Sequence, residues 1–228
     1  MKEPFEPMRT AQMKYVTWKT AFLVCLASAA RCSEIHAISY NSLKFQEKYM
    51  WAEMEPVPEF KSKTSNRDGL SQRDEILKIP ALAPLVGHDL PEDRSLCPVR
   101  ALKIYRARTE QMRGQKNLRK LFISYKPGFN KDIQLLTFSS WIRCLIRDAY
   151  FKAPNSTIQL TGVNPHEIRA LSASVAWKAN IPIVEIMRSC QWKNHTTFTD
   201  HYLRDLSMVQ GDLHSLGKLV VAQNVASL

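Results

Sequence analysis

Asn164-Pro165-His166-Glu167-Ile168-Arg169 has the composition of a helix start. Asn164 suits the N-cap, Pro165 the first helical position and Glu167 the third, which together make a variant capping box. His166 and Arg169 are three positions apart and share one face of the first turn. Free backbone N–H groups and the positive end of the helix dipole lie in that same turn. A phosphate fits there among imidazole, guanidinium and backbone. Taken alone, the segment better suits an ordinary capped helix with a surface His and Arg.

Working outward, apolar periodicity predicts more helices. One starts near Pro182 and ends by Cys190, and a last one carries Thr199 to Met208. Upstream, a helix is expected from Ser139 to Phe151. Another opens at Pro98, with Val99, Leu102 and Tyr105 at helical spacing. From about Arg9 to Ala30, Met13, Val16, Phe22, Leu23 and Leu26 mark one helix or two short ones. Between these lies a β-type region: Tyr49 to Met54, Phe60 to Lys63 and Glu75 to Ile79. Pro56 and Pro58 keep the second of these at a sheet edge. The polar run Thr64 to Arg73, with Asp68-Gly69, reads as an exposed hairpin loop. Gly114 to Lys120 reads as a basic loop, and Leu121 to Tyr125 as a short strand or connector. The fold class is therefore mainly α with a small antiparallel β-sheet, in one domain over 1–228. About eight residues form a flexible lead, and 212–228 form a C-terminal tail whose Leu213, Leu216, Leu219 and Val220 recur at helical spacing.

Charge narrows the function. The 228 residues carry a formal net charge of +11 with 45% hydrophobic residues, which describes a globular chain with a polyanionic partner. Residues 61–125 alone hold 14 basic against 7 acidic residues, so the excess is concentrated. No Lys-rich amphipathic helix with an aromatic face points to a membrane, and the apolar run Ala21 to Ala30 is too short to span one. Nucleic acid is the favoured partner. The five cysteines (Cys25, Cys32, Cys97, Cys144, Cys190) are odd in number and lack a CxxC pair, which fits reduced thiols in an intracellular protein and no zinc site.

Three further segments hold candidate site residues. In Ala30-Arg31-Cys32-Ser33-Glu34-Ile35, Glu34 stands three positions after Arg31 and can hold its guanidinium for bidentate phosphate contact. The plain alternative is a surface ion pair. Trp192 and Tyr202 lie ten positions apart in a stretch rich in hydrogen-bonding residues, and each alone reads as an ordinary aromatic. Lys63, in Phe60-Lys61-Ser62-Lys63-Thr64, stands at the mouth of the expected hairpin loop.

Taken in order, these segments resemble the catalytic domain of the tyrosine recombinase (phage integrase) family over essentially the whole chain. Ala29-Ala30-Arg31-Cys32-Ser33-Glu34-Ile35 matches the family's A/G-x-R-x-S-E-[IL] segment, and His166 with Arg169 matches its H-x-x-R box. Lys63 matches the lysine of the β2–β3 hairpin, with Lys61 a nearby competitor. Trp192 matches the later His or Trp position, and Tyr202 the nucleophile. The gap of ten between the last two, where nine is usual, and the Thr-Phe-Thr run look most like recombinases of eukaryotic mobile elements of the DIRS type.

The resemblance implies an integrase-like DNA breaking–rejoining core, without the N-terminal core-binding domain that family members usually carry. It implies cleavage and rejoining of double-stranded DNA through a 3′-phosphotyrosyl intermediate, with no metal, ATP or other cofactor. Arg31 and Arg169 would hold the non-bridging oxygens and His166 would accept the proton of Tyr202. Lys63 would protonate the leaving 5′ hydroxyl, Trp192 would pack at the phosphate and Glu34 would orient Arg31. It further implies a homo-tetramer on DNA, and a nuclear location in a eukaryotic host. Two alternatives share this reading: a non-catalytic DNA-binding relic of such a recombinase, and a topoisomerase IB-like nicking and rejoining activity.

Overall fold

The computed structural model describes residues 3–46, 50–61, 76–114, 116–126, 128, 131–151, 166–190, 192 and 194–201. The described chain is mainly helical with a three-stranded antiparallel sheet. Helix α1 (Met13–Ser28) runs through the middle and packs against α5 (Pro98–Arg113), α6 (Leu135–Phe151) and α7 (His166–Lys178). A helix packed on several sides must be apolar all round, and α1 buries Val16, Trp18, Ala21, Leu23, Val24 and Cys25. It also buries Lys19, which is ion-paired with Glu6. Burial pulls the Lys19 ammonium below its ordinary pKa, and the Glu6 hydrogen bond and charge offset only part of that.

The sheet has the order β1 (Lys44–Gln46), β2 (Trp51–Met54), β3 (Leu77–Pro80). Ala52 pairs with Phe45 on one side and Ile79 on the other. Ala52, Met54 and Ile79 turn inward to the core. Two of the expected strands thus stand, at β2 and β3. Of the strand expected at Phe60 to Lys63 only Phe60 and Lys61 are described, and neither is in a strand: Phe60 donates its N–H to the Val57 carbonyl at 2.9 Å, so the chain turns there. Strand β1 takes the third place, a position the sequence did not announce because its three residues are too few to show alternation. The expected loop Thr64 to Arg73 lies outside the described residues, as does Lys63.

Two short helices, α3 (Ala83–Val86) and α4 (Pro91–Leu96), lead to α5, which begins at the expected Pro98. At its far end, the buried Arg113 donates to the carbonyls of Leu118, Lys120 and Leu121 and lies 3.7 Å over the Tyr40 ring. One guanidinium therefore shapes the basic loop after Gly114 and returns the chain to the core. Leu121, Phe122 and Ile123 are buried there as a connector, held by the isolated bridges Ser39–Lys120 and Ile123–Asp132. Helix α6 starts at Leu135, one turn before the expected Ser139.

Helix α7 starts at His166, and Asn164 and Pro165 lie outside the described residues. Helix α8 (Ile183–Ser189) matches the expectation. Helix α9 (His195–His201) begins four residues before the expected Thr199. Residues 202–228, with Tyr202 and the proposed tail stripe, lie outside the described residues. Most of the apolar core is one cluster around α1. A smaller cluster of Ala29, Ala173, Ile186, Cys190, Trp192 and Phe198 joins the end of α1 to α7, α8 and α9. No described helix is long and apolar enough to cross a membrane.

Candidate functional site

The small cluster lies against the point where α1 ends. Ala29 adopts the left-handed conformation (φ 50°) as the C-cap of α1, an unusual state for a residue with a Cβ. The turn delivers Arg31 as the N-cap of α2 (Cys32–His36). Three residues on, Glu34 reaches back. Its Oε2 accepts the Arg31 backbone N–H at 2.7 Å and its Oε1 accepts the Arg31 Nη1 at 2.7 Å. The carboxylate that caps the helix also fixes the guanidinium, as the i, i+3 spacing suggests.

Arg169 arrives from the opposite end of the sequence. Its position three residues into α7 and the docking of α7 on α1 bring its Nη1 to 3.9 Å from Glu34 Oε2. The docking is tied by the Ser172 hydroxyl, which donates to the Leu26 carbonyl at 2.7 Å. Arg169 is only 2% exposed, whereas Arg31 and Glu34 are 18% and 17% exposed. Beneath the shared carboxylate, Arg169 Nη2 donates to the Cys190 carbonyl, and its guanidinium carbon lies 5.1 Å from the Trp192 ring centre. Trp192 in turn stacks on Phe198, with ring centres 5.6 Å apart and planes inclined by 25°. Burial pushes the Cys190 thiol up to about 11, although the positive charges of Arg169 and Arg31 pull the other way. At neutral pH the thiol is neutral.

Arg31, Glu34, Arg169 and Trp192 are thus brought together, with two guanidiniums sharing one carboxylate. The local balance is positive, and the half-open Arg31 is its exposed edge. His166 opens α7 one turn before Arg169, while Lys63 and Tyr202 lie outside the described residues. Lys61 is exposed. No cluster of metal-ligating side chains occurs among the described residues.

Two participants are not announced by the sequence. The Cys190 carbonyl is an acceptor that no residue type encodes. Phe198, the stacking partner of Trp192, carries only a weak signal in its six-residue spacing from the Trp. Compared with known proteins, the sequence matches no family model and no curated protein.

Proposed function

We propose that the chain is the catalytic domain of a site-specific DNA recombinase or integrase, cleaving and rejoining DNA through a 3′-phosphotyrosyl intermediate. The observation that carries this reading is the convergence of Arg31 and Arg169 on Glu34. Two arginines distant in sequence, one oriented by capping and the other by burial, form a preorganised cationic pair. Such a pair suits the non-bridging oxygens of a phosphodiester, whose charge grows in the pentacoordinate transition state. In this reading Tyr202 attacks phosphorus, its proton passes to His166, and the 5′ oxygen leaves with a proton from Lys63. The P–O bond to tyrosine replaces the bond broken, so rejoining is the same step reversed. Trp192 walls the phosphate site, and the basic excess of residues 61–125 holds the flanking backbone.

Covalent trapping on a nicked duplex tests the reading. Wild type is expected to leave protein on the 3′ phosphate, and Tyr202→Phe to leave none while binding DNA with nearly unchanged affinity. Equal adduct yield from both proteins removes Tyr202 as nucleophile. Arg169→Ala is expected to weaken both adduct and binding.

A second reading rests on the deep burial of Arg169 and its bond to the Cys190 carbonyl: the pair serves the fold of a non-catalytic DNA-binding domain. It requires duplex binding with no adduct from wild type on any nicked or suicide substrate.

A further inference from the structure

We propose that a cavity between α5, the turn before α1 and the chain that leaves β3 binds a small organic phosphate of nucleotide size. The cavity holds about 480 Å³, and none of its lining residues belongs to the site formed by Arg31, Glu34 and Arg169. Small-molecule sites commonly measure about 300–1,000 Å³, so the space suits one such guest.

The sequence of α5 prepares one wall. Arg100, Lys103, Ile104, Ala107 and Arg108 recur at i, i+3, i+4, i+7 and i+8, so they share one face of the helix, and all five line the cavity. Leu102 and Tyr105 point the other way, into the core. The small side chain of Ala107, one turn after Lys103, leaves the wall recessed. A second wall is Met50, just before β2, with Ala81 and Ala83 beyond β3. Ala81 donates its N–H to the Met50 carbonyl at 2.7 Å, and the Leu82 N–H reaches Cys97 Sγ at 3.4 Å, which fastens this wall to the start of α5. The third wall is the turn at Pro7, whose carbonyl accepts the N–H groups of Thr10 and Ala11 and which brings Arg9 to the cavity.

The charge of the lining is one-sided. Among the described lining residues the one carboxylate is Asp93, and it is committed: its Oδ2 accepts Arg100 Nη2 at 2.6 Å and the Asp89 N–H at 3.2 Å. Arg100 Nη2 also donates to Asp89 Oδ1 at 2.8 Å, so carboxylates balance this arginine. Arg108 is held differently. Its Nη1 donates to the carbonyls of Met8 and Ala11, at 2.9 and 2.5 Å, which fix the guanidinium without cancelling its charge. Among the described residues no carboxylate pairs with Arg9 or Arg108. Lys103 adds an ammonium to the same wall. Phosphate is the anion that guanidiniums match best, since its oxygens take their N–H groups in pairs, and an Arg108 already held in place loses little freedom on binding. Met50, Ala81, Ala83 and Ile104 offer apolar surface to the body that carries the phosphate. A duplex backbone asks instead for an open basic surface without apolar walls.

Isothermal titration calorimetry of the full chain with adenosine diphosphate tests this. One-site binding is expected. Adenosine alone and inorganic phosphate alone, each lacking half of the guest, are expected to bind at least about tenfold more weakly. Lys103→Ala removes a charge-assisted contact and Ala107→Leu fills the recess, both at exposed positions. Each is expected to weaken the nucleotide at least about tenfold with an unchanged melting curve, whereas Arg31→Ala leaves its affinity as in wild type. Absence of nucleotide binding, equal affinity in wild type and both cavity variants, or adenosine binding as tightly as the diphosphate overturns the proposal. Loss of duplex affinity in Lys103→Ala, with no nucleotide bound by wild type, assigns the cavity to the DNA backbone and overturns it as well.

Discussion

At the scale of single residues, Glu34 carries more than its sequence position promises. The i, i+3 spacing from Arg31 is local, but Arg169 reaches the same carboxylate only through tertiary packing. Removing a carboxylate beneath a buried guanidinium leaves an uncompensated charge, so Glu34→Ala is expected to destabilise the domain by about 3 kcal/mol in urea unfolding. Arg31→Ala, which removes the more exposed partner, is expected to cost under about 1 kcal/mol. Equal losses in the two variants contradict the shared-carboxylate arrangement.

His36 supplies a pH dependence. Its Nε2 donates to the Ile133 carbonyl at 2.7 Å, and Lys120 Nζ lies 3.3 Å away. Burial, aided by the Lys120 charge, lowers its pKa from 6.5, so the unfolded chain takes up this proton before the folded one. Stability should therefore fall as pH drops from about 6.5 towards the folded pKa and be flat above it. Melting temperatures of wild type and His36→Gln between pH 5 and 8 are expected to differ in slope below about pH 6.5, with the variant the flatter.

At the scale of elements, two side-chain anchors hold what packing alone leaves loose. The Ser172 hydroxyl fastens α7 to the Leu26 carbonyl near the end of α1, in the helix that carries Arg169. Ser172→Ala is expected to cost about 1 kcal/mol of stability, the net value of one such bond. Because the bond sets how α7 lies on α1, adduct formation is expected to fall by more than that loss of folded protein explains. Arg113 serves three carbonyls of the loop after α5. Arg113→Met keeps the stem but strands those acceptors, and about 3 kcal/mol of destabilisation is expected in chemical unfolding. The long helices were legible in the sequence because each shows its apolar period over several turns, as at Pro98 to Arg113. The three-residue β1 and the turn at Phe60 were not, since their form follows from which neighbour offers a hydrogen bond.

At the scale of the whole molecule, the net charge of +11 and the basic excess between residues 61 and 125 predict binding driven by counterion release. For a duplex probe, log affinity against log salt is expected to have a slope between about −4 and −7, corresponding to roughly five to eight neutralised phosphates. A slope near zero removes nucleic acid as the partner that this charge serves.

Composition and periodicity determined the class of the molecule by themselves: a mainly helical chain with a small antiparallel sheet and a net positive charge. Local chemistry determined the Arg31–Glu34 pair as well, because four consecutive residues at a helix start leave their side chains little choice. Only the tertiary structure decided that Arg169 meets the same carboxylate and that Trp192 stacks on Phe198 beneath it. Those contacts depend on how α1 and α2 meet across the left-handed Ala29, and on how α7, α8 and α9 close over the end of α1. Such docking is set by the shape of buried apolar surfaces and a few buried hydrogen bonds, and neither is written in the spacing of residues along a chain.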